Sequence, residues 1–340
     1  FGVFFTVDGG KKWLKLSGGA PTISFRDLAI QKRENDLVAG SFGRSIWILD
    51  DYTPLREVDE KALQQDSLLF PVRDARWYIP GMPLGYWQEN NKGSQGDAFF
   101  VAPNPPFGAV FTYYLKDGLK TAMETRQEKE KNAAENGEDT PYPGWSALRQ
   151  EELEDEPAIV LTVRNGDGEV IRQIEGPVSA GIHRIAWDLR YPKSNPWTPN
   201  DDGPGWIDFP GPLAEPGSYS VSIAKRVNGV VTDLAQSQAF QVNSIVERGL
   251  PGATPAEVVA FNLRIDELNR QVFGAGAAAK TALTEVNAIK STLVRSSAPA
   301  ALREEARRIE LELKALTELM SGNDRRDLYG DAGPVSISNR

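Results

Sequence analysis

Short apolar runs broken by Gly, Asp, Asn and Pro fill the first three quarters of the chain, and apolar positions at alternating steps of three and four fill the last quarter. The first pattern predicts strands and the second predicts helices. In residues 1–56 the runs are Phe1-Gly2-Val3-Phe4-Phe5, Trp13-Leu14-Lys15-Leu16, Asp27-Leu28-Ala29-Ile30, Leu37-Val38-Ala39-Gly40 and Ser45-Ile46-Trp47-Ile48-Leu49, which predict five short strands. Between 109 and 245 a second set follows. Ile159, Leu161 and Val163 alternate, as do Tyr219, Val221 and Ile223 with three serines between and around them. Strict alternation marks strands with one buried face. Asn165-Gly166 and Asn228-Gly229 supply hairpin turns, and Phe240-Gln241-Val242 a last strand.

Helices are expected over 254–322. Thr254-Pro255-Ala256-Glu257 is a capping box with Pro at the first helical position. Apolar or small residues then recur from Val258, Phe261, Ile265 and Leu268 through Val286, Ile289 and Leu293. After Ser296-Ser297-Ala298-Pro299 the repeat resumes at Leu302, Ala306, Ile309, Leu313, Leu316 and Met320. The short connection predicts an antiparallel helical hairpin, its two seams facing each other with Ile265, Leu268, Leu313 and Leu316 buried.

Two stretches depart from these patterns. Residues 57–108 are rich in Pro, Gly and aromatics, including Trp77-Tyr78 and Tyr86-Trp87, and read as a linker whose rings wedge neighbouring domains together or offer a sugar-stacking surface. Residues 116–156 hold twelve acidic and six basic residues, two thirds of the chain's net charge of −9. They read as a solvated helical insertion, with one helix in Thr121–Glu135 and a shorter one after Ser146. Residues 323–340 carry no periodic pattern and read as a truncated tail.

Composition narrows the function classes. With 340 residues the chain has room for two or three cores. Its negative charge argues against nucleic acid or an anionic membrane as partner. There are no cysteines, so disulfides and thiolate chemistry are excluded. No apolar run approaches the ~18 residues of a membrane-spanning helix.

One motif stands out. Thr6-Val7-Asp8-Gly9-Gly10-Lys11-Lys12-Trp13 fits the Asp-box pattern S/T-x-D-G-G-x-x-W. Gly9 and Gly10 suit a tight turn, the Asp8 carboxylate can accept the turn's amides, and Trp13 can cover it. Together with Asp36-Leu37-Val38-Ala39-Gly40-Ser41-Phe42-Gly43-Arg44-Ser45-Ile46-Trp47-Ile48-Leu49-Asp50-Asp51, residues 2–55 resemble the end of the β-propeller in large bacterial sortilin-like proteins, also called bacterial neuraminidase repeat proteins and often labelled glycosyl hydrolases. The resemblance implies that 1–56 form the last one and a half blades of a propeller whose other blades lie upstream of Phe1, leaving an unpaired sheet edge. The G-x-H-x-x-x-W-D layout from Gly181 to Asp188, followed by Pro216-Gly217-Ser218-Tyr219, resembles the immunoglobulin-like accessory module of flagellar hook-capping proteins. The expected fold is thus mainly β with a helical C-terminal part: terminal propeller blades, an immunoglobulin-like sandwich over 109–245, and the hairpin.

Candidate chemistry is sparse. Thr6, Asp8, Gly9, Gly10 and Trp13 have structural roles in the resembled family. Arg44, Asp50 and Asp51, at the end of the last blade, are the candidate site, against a reading in which an Arg–Asp pair fixes the exit from the propeller. His183, the only histidine, lacks a nucleophile and an orienting acid nearby and reads as structural. Asn165-Gly166-Asp167-Gly168-Glu169 and Asn200-Asp201-Asp202-Gly203 lack the ligand ladder of a calcium loop. No catalytic set, metal site or cofactor is expected. The resemblance implies a secreted, periplasmic or cell-surface protein with a non-catalytic binding or scaffold role, taking a protein or glycan through the propeller. The alternative is the accessory part of a sialidase-like glycoside hydrolase with its active site on upstream blades.

Overall fold

The computed structural model describes residues 1–59, 61–81, 104–193, 210–246 and 252–323, with Gly96, Ala98, Arg326, residues 328–330 and Ile337. It divides into two units, one of 1–189 with 215–251 and one of 190–214 with 252–340. The chain is mainly β, with a pair of helices at its C-terminal end.

The first unit begins with two small antiparallel sheets. Strands β1 (Phe4–Phe5) and β2 (Leu14–Lys15) form one; β3 (Phe25–Gln31), β4 (Asp36–Ser41) and β5 (Ile46–Leu49) form the other, in that order. Their short apolar runs put hydrophobic side chains on both faces of the three-stranded sheet. Register places Leu28, Ala39 and Trp47 on one face and Ala29, Val38 and Ile48 on the other. Both faces stay largely open: Leu28 is 50% exposed and Ile48 59%.

The remaining strands of the unit build two further sheets, of six and three strands. These are β6 (Ser67–Leu69), β7 (Ala75–Trp77), β8 (Ala109–Leu115), β9 (Ala158–Arg164), β10 (Val170–Gly176), β11 (Gly181–Trp187), β12 (Gly217–Val227), β13 (Val230–Asp233) and β14 (Gln238–Ser244). One sheet runs β10-β9-β12-β14-β7, with β13 paired to β12; the other runs β11-β8-β6. All pairs are antiparallel except β14 with β7. The alternation seen in the sequence sets the buried face. Ile159, Leu161, Val163, Val221 and Ile223 are fully enclosed, while Ser218 and its alternating partners point away. Aromatic rings join the sheets. Phe111 on β8 meets Phe240 on β14 edge-on at 5.6 Å, and Trp187 on β11 lies 5.2 Å from Tyr219 on β12. Gly108 enters β8 with φ +107°, and a side chain there would collide with the Trp187 carbonyl. Buried Tyr113 donates to the Pro177 carbonyl at 2.6 Å, and burial pushes its hydroxyl up to about 12.

Strands β6 and β7 lie inside the stretch 57–108 that was expected to be a linker; that stretch therefore contributes to both sheets. Tyr86-Trp87, and most of 82–103, lie outside the described residues, as do the loop Asn200-Asp201-Asp202-Gly203 and most of the tail 323–340. The charged insertion forms α1 (Ala122–Glu135), with a capping box between Thr121 and Glu124, and α2 (Trp145–Glu152). Arg126 of α1 ties the two together by paired bonds to Glu151 of α2, each 2.8 Å, and also bonds Glu130 one turn along its own helix.

The second unit carries α3 (Pro255–Val294) and α4 (Ala300–Ser321). The Thr254 capping box forms as expected, but the expected seams do not. Leu268 is 60% exposed and Leu316 51%; Ile265 is exposed and Leu313 only half-buried. Two physical reasons account for this. At ~1.5 Å per residue α3 is about 60 Å long and α4 about 33 Å, so α4 cannot cover the first half of α3. A lone pair of helices also encloses only one stripe, and here it contains small and charged residues rather than the apolar maximum. Val286 and Ala306 are buried, and so is Glu310, its side chain 5% exposed. Its carboxylate takes Lys290 from α3, then Lys314 and Arg307 of α4, each 2.7 Å away. No described helix is long and apolar enough to cross a membrane.

Trp187→Ala is expected to remove about 3–5 kcal/mol of unfolding free energy, measured by urea denaturation, because the indole is fully buried between the sheets. The Glu310 carboxyl is held well below its ordinary value by Lys290, Lys314 and Arg307. Since the folded state releases this proton more readily than the unfolded one, the stabilisation is complete above about pH 4.5, the ordinary value, and is lost as the pH falls below it. The helical signal at 222 nm should accordingly melt at lower temperature as the pH drops from 5 to 3. Glu310→Gln should melt early at both pH values and lose that part of the pH dependence.

Candidate functional site

The Thr6–Trp13 turn is built by its own side chains. The Asp8 carboxylate accepts the Lys11 and Lys12 amides at 2.9 and 3.0 Å, Thr6 Oγ1 donates to Asp8 at 2.7 Å, and the Gly10 amide donates to Thr6 Oγ1 at 2.9 Å. The Lys12 amide and the Thr6 hydroxyl lower the Asp8 carboxyl below its usual value. Gly9 and Gly10 hold φ of +73° and +94°. Asp8 Oδ1 and Thr6 Oγ1 thus both accept backbone amides of the turn. Trp13, at the end of the turn, is 61% exposed.

A cleft of about 670 Å³ opens within the first unit, at the far end of the three-stranded sheet. The β3–β4 turn and the exit from β5 form one wall, with Arg33, Glu34, Asp36, Asp50 and Asp51. Strand β7, the entry to β8, and β11 form the other, with Arg73, Arg76, Tyr78, Phe107 and Arg184. Arg184 donates to the carbonyl oxygens of both Asp50 and Asp51, so β11 grips the residues that leave β5. Asp51 sits at φ +42°, its amide donating to Asp36 Oδ1 at 2.9 Å and its carboxylate accepting the Thr53 amide at 3.2 Å. Across the cleft Asp74 accepts the Gln241 amide at 3.1 Å.

Charge is unevenly distributed along the walls. Glu34 gathers Arg33 at 2.9 Å, Arg73 at 3.4 Å and Arg76. Burial would raise its pKa, but the Arg33 bond and the Arg76 and Arg73 charges outweigh burial and lower it. Asp50 differs from all of these. Its carboxylate makes no hydrogen bond among the described residues, and burial first, then the Asp36 charge, raise its pKa against the pull of Arg184 and Arg73.

The structure thus brings Asp50 and Asp51 together but leaves Arg44 out. The Arg44 carbonyl accepts Trp47 Nε1 at 3.0 Å, and its side chain is exposed away from the cleft. The arginine that fixes the exit of β5 is Arg184, more than 130 residues on, and no local spacing could have revealed it. His183 bonds the Ser179 carbonyl at 2.6 Å and packs beside Tyr113. In the β9–β10 turn, Asn165 Oδ1 accepts the Asp167 and Glu169 amides, so this polar loop too is spent on its own backbone. Among the described residues no three His, Asp or Glu side chains converge as metal ligands.

Asp50→Asn is expected to raise the melting temperature slightly at pH 7. A raised folded-state pKa means that ionised Asp50 costs stability, and that cost disappears as the pH falls towards 3.8, the ordinary value, and below. Thermal melts of both proteins across pH 3–7 should therefore converge at the acid end. No protein-family model matches the chain, and no curated protein matches its sequence.

Proposed function

We propose that this chain is a non-catalytic binding or scaffold region of an exported sortilin-like β-propeller protein, with the cleft beside Asp50 as its ligand site. The observation that carries this reading is how the charged groups of the cleft are engaged. Arg184 holds two carbonyls, Asp36, Asp51 and Asp74 hold amides, and Glu34 holds arginines, which leaves Asp50 as the one unbonded carboxylate among them. Glycoside hydrolysis needs two carboxyl groups, or a tyrosine and a carboxyl, placed across a bond. A rigid wall with one free acceptor suits recognition better.

The propeller part of the reading is supported by the β3–β5 sheet. Continuous apolar runs belong to sheets covered on both faces, and a blade packed between two other blades is covered in that way. The Asp8 turn fits an Asp-box, and the two sheets joined by Trp187 suit an immunoglobulin-like module. A second reading, the accessory part of a glycoside hydrolase, draws on the raised pKa of Asp50, from burial and from Asp36 beside it, a combination common at catalytic carboxyls.

The purified chain is expected to release nothing from sialosides or a panel of aryl glycosides. Turnover that disappears in an Asp50→Ala/Asp51→Ala double variant would overturn the non-catalytic reading and place an active site at the end of β5.

A further inference from the structure

We propose that the cleft takes an uncharged oligosaccharide, an assignment that rests on the binding reading above and narrows it to one ligand class. Two independent features of the walls point to it. The first is aromatic. Tyr78 and Phe107 meet edge to face, ring centres 4.9 Å apart and planes at 82°, and both half-exposed rings line the cleft. Aromatic rings left open beside polar groups offer a flat apolar surface to the C–H face of a pyranose while the sugar's hydroxyls reach sideways.

The second feature is the pairing of a free acceptor with spare donors. Asp50 carries two carboxylate oxygens with no hydrogen bond among the described residues. The nearby Arg184 guanidinium has five N–H donors, of which the Asp50 and Asp51 carbonyls engage only part. A hydroxyl donates once and accepts through its lone pairs, so neighbouring hydroxyls on a sugar ring satisfy a carboxylate and a guanidinium together. The volume of about 670 Å³ lies within the ~300–1,000 Å³ usual for small-ligand sites.

Charge decides between ligand types. Acids and arginines are interspersed along the walls, Arg73 and Arg184 acting on Asp50 and three arginines surrounding Glu34, so a ligand of either net charge meets groups of its own sign. An extended peptide would have to add to the edge of β7, which is three residues long and gives few main-chain bonds.

The test is native affinity electrophoresis of the whole 340-residue chain through gels containing xylan, mannan or mixed-linkage β-glucan, with hyaluronan and polyglutamate gels alongside. At least one neutral polysaccharide should retard the chain. Tyr78→Ala and the isosteric Asp50→Asn should each weaken that retardation about tenfold or more, and Trp145→Ala, on the charged insertion, should leave it unchanged. No retardation by any neutral polysaccharide, or retardation of Tyr78→Ala and Asp50→Asn undiminished from that of the unsubstituted chain, overturns the assignment. Retardation by hyaluronan or polyglutamate alone, lost in Tyr78→Ala, also overturns it but leaves the binding cleft standing. Cleavage of a retained neutral glycan would do the reverse, supporting the saccharide and refuting the non-catalytic reading.

Discussion

The indole of Trp187 is the contact on which the first unit depends. It reaches from the three-stranded sheet into the larger one, touching Tyr219 and lying 6.3 Å from Phe240, which in turn meets Phe111 from the indole's own sheet. The next few residues back along β11 carry Arg184, so the strand that closes the core on one side also reaches out to hold the exit from β5. Core packing and cleft geometry are therefore coupled through a single strand. A shift in β11 that relieved crowding around the indole would carry the guanidinium with it and loosen the wall that contains Asp50.

How much of this could be read from residues alone depended on distance along the chain. Strand β12 was legible because Tyr219, Val221 and Ile223 alternate with serines, the period of a sheet with one covered face, and β9 because its β-branched apolar run ends in an Asn-Gly turn. Strands β6 and β7 were hidden. Each has three residues, too few for a period, and Pro and Arg near them read as loop; their pairing with β8 and β14 comes from residues far away in sequence. The helices were legible as helices, but their facing stripe was not. Apolar content favoured Ile289 and Leu316, whereas the stripe that closes contains Lys290 and Glu310, because three cations around one carboxylate make a buried charge tolerable. The cleft was the least legible feature. Asp50 and Asp51 were visible as candidates, but Arg73, Arg76, Tyr78 and Arg184 reach them only through the fold.

The small sheets at the start of the chain pose the opposite problem. Only β4 is paired on both sides, β1, β2, β3 and β5 each having one partner, and Leu28, Ile30, Ile46 and Ile48 remain open to solvent. A pocket of about 270 Å³ lined by Val3, Leu16, Leu37 and Trp47 marks where the two small sheets approach without filling the space between them.

The one parallel pair among the described strands, β14 with β7, has a mechanical consequence. Strand β7 is reached from the N-terminal strands, and β14 leads out towards the helices, so tension between those directions pulls two parallel strands by opposite ends. The pairs Val242–Ala75, Asn243–Arg76 and Ser244–Trp77 then carry the load together, in shear. An antiparallel pair at the same place would be peeled open one pair at a time, at a much lower force.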